Sequence, residues 1–381
     1  MSQQTADLDQ IISELKHSPL FNLSLSSKEL FHSNLLAWLC ELYPNHVGRA
    51  FASFLKTPPQ VYEGLKVYRE RHNIDLTLEY SHGEQLIIEN KVKSLPRLEQ
   101  LEAYAEAGFD KTSTSFLLLS LTPPLFADLH TATISLNDGT VWHYLDYQNL
   151  ANLLLSVQPA IAEISAYHGH ILNDYIAFIS QLHMLCDLFA INWEDPNSDF
   201  FSTRHDIYRL TAIRLHDLID KLRYAQLDRQ VRAQLIKQGF SFVEGDWWYG
   251  QADQVLVGSG MTRGTGFFDF KYYLFDKELI GSPIMLGIQL QGNAFRIVFE
   301  LNDKGKALNI AEQLLHPHNQ KKLWFDFSDV PGDSIEYPKK GNFNQYSGTF
   351  IYRSKTLSAT TPQQLVSLIV RYTWYLLNKA G

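Results

Sequence analysis

Residues 74–92 read IDLTLEYSHGEQLIIENKV, and this stretch is the most informative part of the chain. Two runs rich in apolar and β-branched residues, IDLTLEY and QLIIENKV, are typical of short β-strands. The polar connection between them contains Gly83, a residue that accepts the backbone angles of a tight turn. The stretch therefore predicts a β-hairpin.

The register of this hairpin brings charged side chains together. If the turn is symmetric about His82, Asp75 lies directly opposite Glu89. Lys91 then shares their face, because side chains alternate between the two faces of a strand. Like charges on directly opposed residues are destabilising. A cation between the two carboxylates removes that cost, and magnesium suits a site of one or two carboxylates with several retained waters.

A different turn would separate the same groups. A two-residue turn at positions 82–83 would set Asp75 opposite Asn90 and send Glu89 to the other face. The apolar pattern favours the symmetric turn, which gathers the larger apolar residues on one buried face and leaves the polar set on the other. These apolar residues are Ile74, Leu76, Leu78, Tyr80, Leu86, Ile88 and Val92.

The pattern around the hairpin predicts an α/β core with the order helix, three strands, helix, strand, strand. The first helix of this order ends before Pro44, and the second spans about 96–107. A long helix over about 161–188, broken near Gly169, follows the core. Residues 240–352 then change to aromatic-rich strands with glycine turns, so we expect an additional α+β C-terminal domain.

The chain of 381 residues is long enough for two domains. The best linker is residues 192–202, which are rich in Asn, Asp, Pro and Ser, so we predict domains over 1–190 and 200–381. Residues 1–199 hold 11 Lys and Arg against 24 Asp and Glu, whereas residues 200–381 hold 22 against 17. The second domain is therefore the better candidate for binding nucleic acid or a partner.

Composition excludes several classes of protein. The chain is 45% hydrophobic, which excludes a disordered protein. Its apolar runs are too short for a membrane span and no secretory leader opens it, so we expect a cytoplasmic protein without membrane association. The two cysteines, Cys40 and Cys186, exclude a disulfide framework and a four-cysteine zinc site. The net charge of −8 argues weakly against a generic polyanion binder.

Four sequence elements resemble the signature of one family. Asp75 followed by Glu89-Asn90-Lys91 on the next strand resembles the signature of the PD-(D/E)XK nuclease superfamily, which has the restriction-endonuclease-like fold. Glu29 stands on the preceding helix, where many members place a glutamate. Gln100 and Tyr104 match a Gln-x-x-x-Tyr element that a subset carries after the lysine strand. Together these elements predict a mixed central sheet flanked by helices.

The resemblance covers about residues 20–150 and implies a metal-dependent nuclease, with DNA as the favoured substrate and products bearing 5′-phosphate and 3′-hydroxyl ends. It implies that Asp75, Glu89 and Glu29 bind Mg²⁺ or Mn²⁺. Lys91 would assist the attacking water or stabilise phosphate charge. The chain departs from the signature at Ile74, where the name implies proline, but that position has no chemical part.

Two further residues are implied as members of the site. Gln100 and Tyr104 are spaced i, i+4 on the helix after the lysine strand, so they share one face and can reach the site or the substrate backbone. Ordinary packing at the helix surface explains the same spacing.

Plainer roles compete for the remaining residues. Glu29 stands three residues after Ser26, and Ser-x-x-Glu is a capping box at a helix start. Asp75 has an alternative as a solvated residue on an open sheet face. The alternative for Glu89 and Lys91 is an ion pair within one strand, which stabilises a protein surface by only about 0–1 kcal/mol.

Two other functions remain open at this stage. A catalytically inactive module of the same fold would bind nucleic acid or protein without cleaving it, since fold alone does not establish activity. A metal-dependent hydrolase would act on nucleotides or another small phosphate ester. A homodimer is a further expectation, because cutting both strands of a duplex often requires two sites.

Overall fold

The computed structural model describes residues 3–25, 28–127, 132–242, 255–275, 283–301, 306–314, 325–332, 335–336, 341–346 and 348–380. The chain divides into two compact units. The first comprises Met1–Ala190 together with Leu210–Leu218, and the second comprises Ile191–Arg209 together with Ile219–Gly381. An ion pair ties the inserted stretch to the first unit, with Lys93 Nζ 2.5 Å from Asp217 Oδ2.

Helices surround the sheet of the first unit. They are α1 (Gln3–His17), α2 (Pro19–Ser24), α3 (Lys28–Leu42), α4 (Arg49–Phe51), α5 (Leu98–Ala105), α6 (Tyr147–Ile164) and α7 (Ala166–Leu188). The predicted break in the long helix lies at Ser165 rather than near Gly169. The Ser165 hydroxyl accepts a hydrogen bond from the His168 amide at the start of α7. Gly169 lies inside α7, where an added Cβ would stand 2.6 Å from Ala162 Cβ of α6.

Six strands form the mixed sheet of the first unit. They are β1 (Lys66–Arg71), β2 (Ile74–Glu79), β3 (Gln85–Lys91), β4 (Thr114–Ser120), β5 (Thr133–Ser135) and β6 (Val141–Asp146). Their order is β1-β2-β3-β4-β6-β5. The pairs β3–β4 and β4–β6 are parallel, and the other pairs are antiparallel. This arrangement confirms the predicted α/β core, to which the structure adds the short β5.

The hairpin adopts the symmetric register. Leu76 pairs with Ile88, and the Tyr80 amide donates to the Glu84 carbonyl at 2.8 Å. The alternative two-residue turn at positions 82–83 is wrong, because it would shift every pair by one residue.

Both faces of the hairpin are covered, which corrects the expectation of a single buried face. Ile87, on the same face as Glu89, belongs to a core cluster with Leu101 of α5 and Trp142 of β6. Helix α5 packs over the polar set, so Glu89 is only 1% exposed. Parallel strands are commonly buried on both faces, and β3 is parallel to β4.

The second unit combines helices with an antiparallel sheet. Its helices are α8 (Arg204–Arg209), most of α9 (His216–Lys237), α10 (Ala307–Leu314) and α11 (Pro362–Ala380). Its strands are β7 (Val255–Thr262), β8 (Thr265–Phe275), β9 (Pro283–Gln291), β10 (Ala294–Glu300), β11 (Ile335–Glu336), β12 (Asn344–Tyr346) and β13 (Phe350–Thr356). The added α+β C-terminal part is as the sequence predicts. Across the described ranges, no helix has both the length and the apolar character needed to cross a membrane.

Candidate functional site

The predicted carboxylates lie on neighbouring strands. The register of β2 and β3, continued by one residue, sets Asp75 opposite Glu89. The amide of Asn90 donates to Asp75 Oδ2 at 2.8 Å, which fixes the carboxylate beside β3. Asp75 is half-buried, so it is not the fully solvated residue of the plainer interpretation.

Glu89 is the most perturbed acid of this group. Its Oε1 accepts hydrogen bonds from Lys91 Nζ and from Gln100 Nε2, the latter at 2.8 Å. Its Oε2 is buried and has no hydrogen-bond partner among the described residues. Burial, followed by the nearby charge of Asp75, raises the pKa of Glu89 to about 7 against the opposing charge of Lys91.

Two further acids affect the pKa of Asp75. Burial raises its pKa, opposed by the Asn90 amide and Lys91 and reinforced by the charges of Glu29 and Glu70. Strand β1 pairs Arg69 with Leu76 and Arg71 with Ile74, so the register carries Glu70 to a position opposite Asp75. Sequence reasoning missed Glu70.

A second hairpin turn in the sequence could have predicted the position of Glu70. His72 and Asn73 form a two-residue connection with φ of 57° and 62°, the backbone geometry of a tight hairpin turn in which asparagine is common. Glu70 itself has φ of 52°, an uncommon value for a residue other than glycine. Backbone strain of this kind clusters at functional sites.

Glu29 lies in the same electrostatic cluster but has its own partners. Its Oε1 accepts from the amides of Ser94 at 2.9 Å and Lys93 at 3.3 Å, and from the Ser94 hydroxyl. Burial alone would raise the pKa of Glu29, but the Ser94 hydrogen bonds and the charge of Lys91 outweigh it and lower the pKa. The capping partner Ser26 lies outside the described residues.

Helix α5 supports Glu89 from above. Gln100 Nε2 donates to the Tyr104 hydroxyl at 2.9 Å as well as to Glu89, and Tyr104 donates to the Asn73 carbonyl at 2.9 Å. Burial and the charge of Glu89 raise the pKa of Tyr104 to about 12. The i, i+4 pair therefore points into the site rather than along the helix surface.

Asn90 connects the site to two helices, a role that sequence reasoning missed. Its Nδ2 donates to the Glu29 carbonyl and to Ser33 Oγ, both at 3.2 Å. Its Oδ1 accepts from the buried Tyr147 hydroxyl at 2.8 Å. Tyr147 directly follows β6, and β3, β4 and β6 are parallel neighbours. Because the carboxyl ends of parallel strands meet at one edge of a sheet, this position could have predicted the contact between Tyr147 and Asn90.

The donor set fits a divalent cation. Carboxylate oxygens are the ligands that Mg²⁺ and Mn²⁺ prefer, and Glu89 Oε2 is a buried carboxylate oxygen that no described group satisfies. In the described part of the chain, no three His, Cys, Asp or Glu side chains are grouped so as to hold a metal ion. Glu29 does not complete such a group with Asp75 and Glu89, because Ser94 holds it.

Comparison with known proteins agrees with this geometry. Residues 20–176 match the family model of the PD-(D/E)XK nuclease superfamily, whose members typically use divalent metals. The matched range contains every residue that the sequence predicts for the site. No curated protein and no solved structure matches the chain significantly. Over residues 20–176, the chain is therefore similar to the PD-(D/E)XK nuclease superfamily.

Proposed function

We propose that the protein is a metal-dependent nuclease that hydrolyses phosphodiester bonds, with DNA as the favoured substrate. One observation carries the proposal. Glu89 has a buried, unsatisfied carboxylate oxygen and a pKa raised to about 7, and Asp75 and Lys91 lie beside it. Strongly perturbed acids with a specific charged partner are characteristic of functional sites.

Asp75 and Glu89 would hold Mg²⁺ or Mn²⁺. The cation would lower the pKa of a water and neutralise charge at the phosphorus. The remaining groups support these two ligands. The Asn90 amide holds Asp75, and Gln100 holds Glu89 Oε1, so both carboxylates are oriented before substrate arrives.

Lys91 is the group that acts on the substrate. Its side chain is 11% exposed, so its charge is only weakly screened by solvent. A cation at this position can orient the attacking water or stabilise the negative charge that develops on the phosphate. Glu29 and Tyr104 support the site indirectly. Glu29 accepts a hydrogen bond from the Ser94 amide, and Tyr104 accepts one from Gln100. The expected products carry 5′-phosphate and 3′-hydroxyl ends.

The test is cleavage of plasmid DNA and of single-stranded DNA with and without Mg²⁺, by the wild type and Lys91→Ala. We expect metal-dependent cleavage that falls by at least about 100-fold in the variant, the loss typical of removing one catalytic group. Lys66→Ala is the matched control, because Lys66 is an exposed lysine on β1 that pairs with Glu79.

Two outcomes would overturn the proposal. Binding of DNA without cleavage under any divalent metal would identify an inactive module. Cleavage of mononucleotides alone would identify a small-phosphoester hydrolase. Analytical ultracentrifugation of the same samples tests the expected homodimer.

A further inference from the structure

Two adjoining cavities lie along helix α11 in the second unit. The first has a volume of about 630 Å³ and the second about 620 Å³. Both are lined by Gln363, Ser367 and Arg371, so these three side chains form the border between them. The first cavity is otherwise lined by residues 230 and 234 of α9, by residue 238 just after that helix, by Val366, Val370 and Trp374 of α11, and by Trp193.

Two tryptophans line the first cavity, and glutamines bond one at its indole ring and the other at its backbone. Trp374 Nε1 donates to Gln238 Oε1 at 2.6 Å, and Gln363 Nε2 donates to the Trp193 carbonyl at 2.7 Å. Both indole rings remain partly exposed. Trp374 is anchored at its edge and only partly buried, so its ring offers a platform for stacking a flat ligand.

The same cavity offers polar groups that are not used by the protein. Gln230 and Gln234 are spaced i, i+4 on α9, and neither side-chain amide forms a hydrogen bond within the described part of the chain. Each amide presents a donor and an acceptor side by side. That combination is complementary to the edge of a nucleobase, which also carries donors and acceptors side by side.

The border and the second cavity suit a phosphate. Arg371 is a planar cation with five donors, the residue type best matched to phosphate. Its present partner is Asp329, at 3.8 Å, and both side chains are more than half exposed, so a phosphate can displace that weak pair. The second cavity also contains Thr360 and Thr361 at the start of α11, the positive end of the helix dipole.

We propose that these cavities bind an unpaired nucleotide of a nucleic-acid strand, with its base in the first cavity and its phosphate at Arg371. The choice of a nucleic acid rests on the proposed nuclease function. Among the residues that the structure describes, no acidic side chain lines the first cavity. The second unit carries 21 Lys and Arg against 19 Asp and Glu, so its net charge does not oppose a polyanion strongly. The site would give this protein a preference for single-stranded substrate.

The test measures the binding of a fluorescein-labelled oligothymidylate by fluorescence anisotropy. The measurement uses Lys91→Ala protein in EDTA, so that the strand is not cleaved. Trp374→Ala should weaken binding by about 10-fold or more, since stacking of one base is worth that much. Trp374→Phe should restore most of the binding, which separates stacking from a folding defect.

Arg371→Gln supplies a readout that a structural defect does not move. Loss of one phosphate contact should lower the slope of log affinity against log salt concentration by about 0.7 for a single strand. Arg229→Gln is the matched control, because Arg229 is an exposed arginine of α9 outside both cavities. The slope for Arg229→Gln should equal that of the parent protein. An equal decrease in both variants would mean that surface charge in general binds the strand, and it would overturn the proposal.

The remaining outcomes separate this site from the nuclease itself. Tighter binding of duplex than of single-stranded DNA, or binding of mononucleotides only, would overturn the strand site while leaving metal-dependent cleavage intact. If Lys91→Ala protein no longer cleaves DNA but still binds the single strand normally, the strand-binding site is supported independently of the nuclease site. Failure of wild type to cleave any nucleic acid would instead overturn the proposed function.

Discussion

The charge of Glu89 should destabilise the metal-free protein at neutral and alkaline pH. Its pKa rises from an ordinary 4.5 to about 7 in the folded chain, because of burial and the charge of Asp75. A folded-state pKa above the unfolded value means that folding favours the protonated acid. The stability that this provides is fully present below about pH 4.5, and it is lost as the pH rises through about 7. At about 1.4 kcal/mol per pH unit, the loss is roughly 3 kcal/mol.

Glu89→Gln removes this loss, since glutamine resembles the protonated acid and cannot ionise. In EDTA the variant should match the wild type near pH 4.5 and exceed it by up to roughly 3 kcal/mol at pH 8, several degrees in Tm for a unit of this size. Thermal and urea unfolding across this pH range would measure the difference. Under the proposed function, Mg²⁺ should stabilise the wild type at pH 8 and leave the variant unchanged, because the variant lacks the carboxylate proposed to bind the metal.

Glu79→Gln is the matched control for this experiment. Glu79 lies on the same face of the hairpin, but Lys66 bonds it at 2.8 Å and lowers its pKa, so its substitution should bring no gain at pH 8. A wild type as stable as Glu89→Gln at pH 8 in EDTA would refute the reasoning. A stability difference that does not change with pH would refute it too, because the effect would then not come from ionisation.

Two further substitutions test the groups around the site. Gln100→Leu removes a donor to the ionised form of Glu89, so the acidic limb of the pH–activity profile should move to higher pH; an unmoved profile would show that Gln100 only packs. Tyr147→Phe leaves the buried Asn90 Oδ1 without its partner and should cost about 1–3 kcal/mol of stability in urea unfolding at an unchanged m value. A cost near zero would mean that Asn90 finds another donor.

Local pattern was sufficient for the hairpin and its charged face. Alternation with period two and the length of the turn together set Asp75 across from Glu89 and placed Lys91 beside them, and both are properties of adjacent residues. The i, i+4 spacing of Gln100 and Tyr104 was equally local.

Local sequence patterns could not predict contacts between residues that are far apart along the chain. Glu29 turns towards Ser94, 65 positions away, and Asn90 is held by Tyr147, 57 positions away. Glu70 reaches Asp75 only because β1 adds to the edge of the hairpin. Gly169 of α7 lies so close to Ala162 of α6 that an added Cβ would stand 2.6 Å from Ala162 Cβ. None of these pairs has a spacing that predicts it.

Neighbouring residues alone were enough to predict which charged groups share a face and in what order, because the alternation of side chains along a strand is a local property. The strength of the interaction between those groups depends instead on the packing of the folded chain. Helix α5 and the parallel strand β4 remove water from Glu89, and desolvation beside a second carboxylate is what brings its pKa near 7. Desolvation depends on everything that surrounds a group in space, and those surroundings come from parts of the chain that are far apart in sequence.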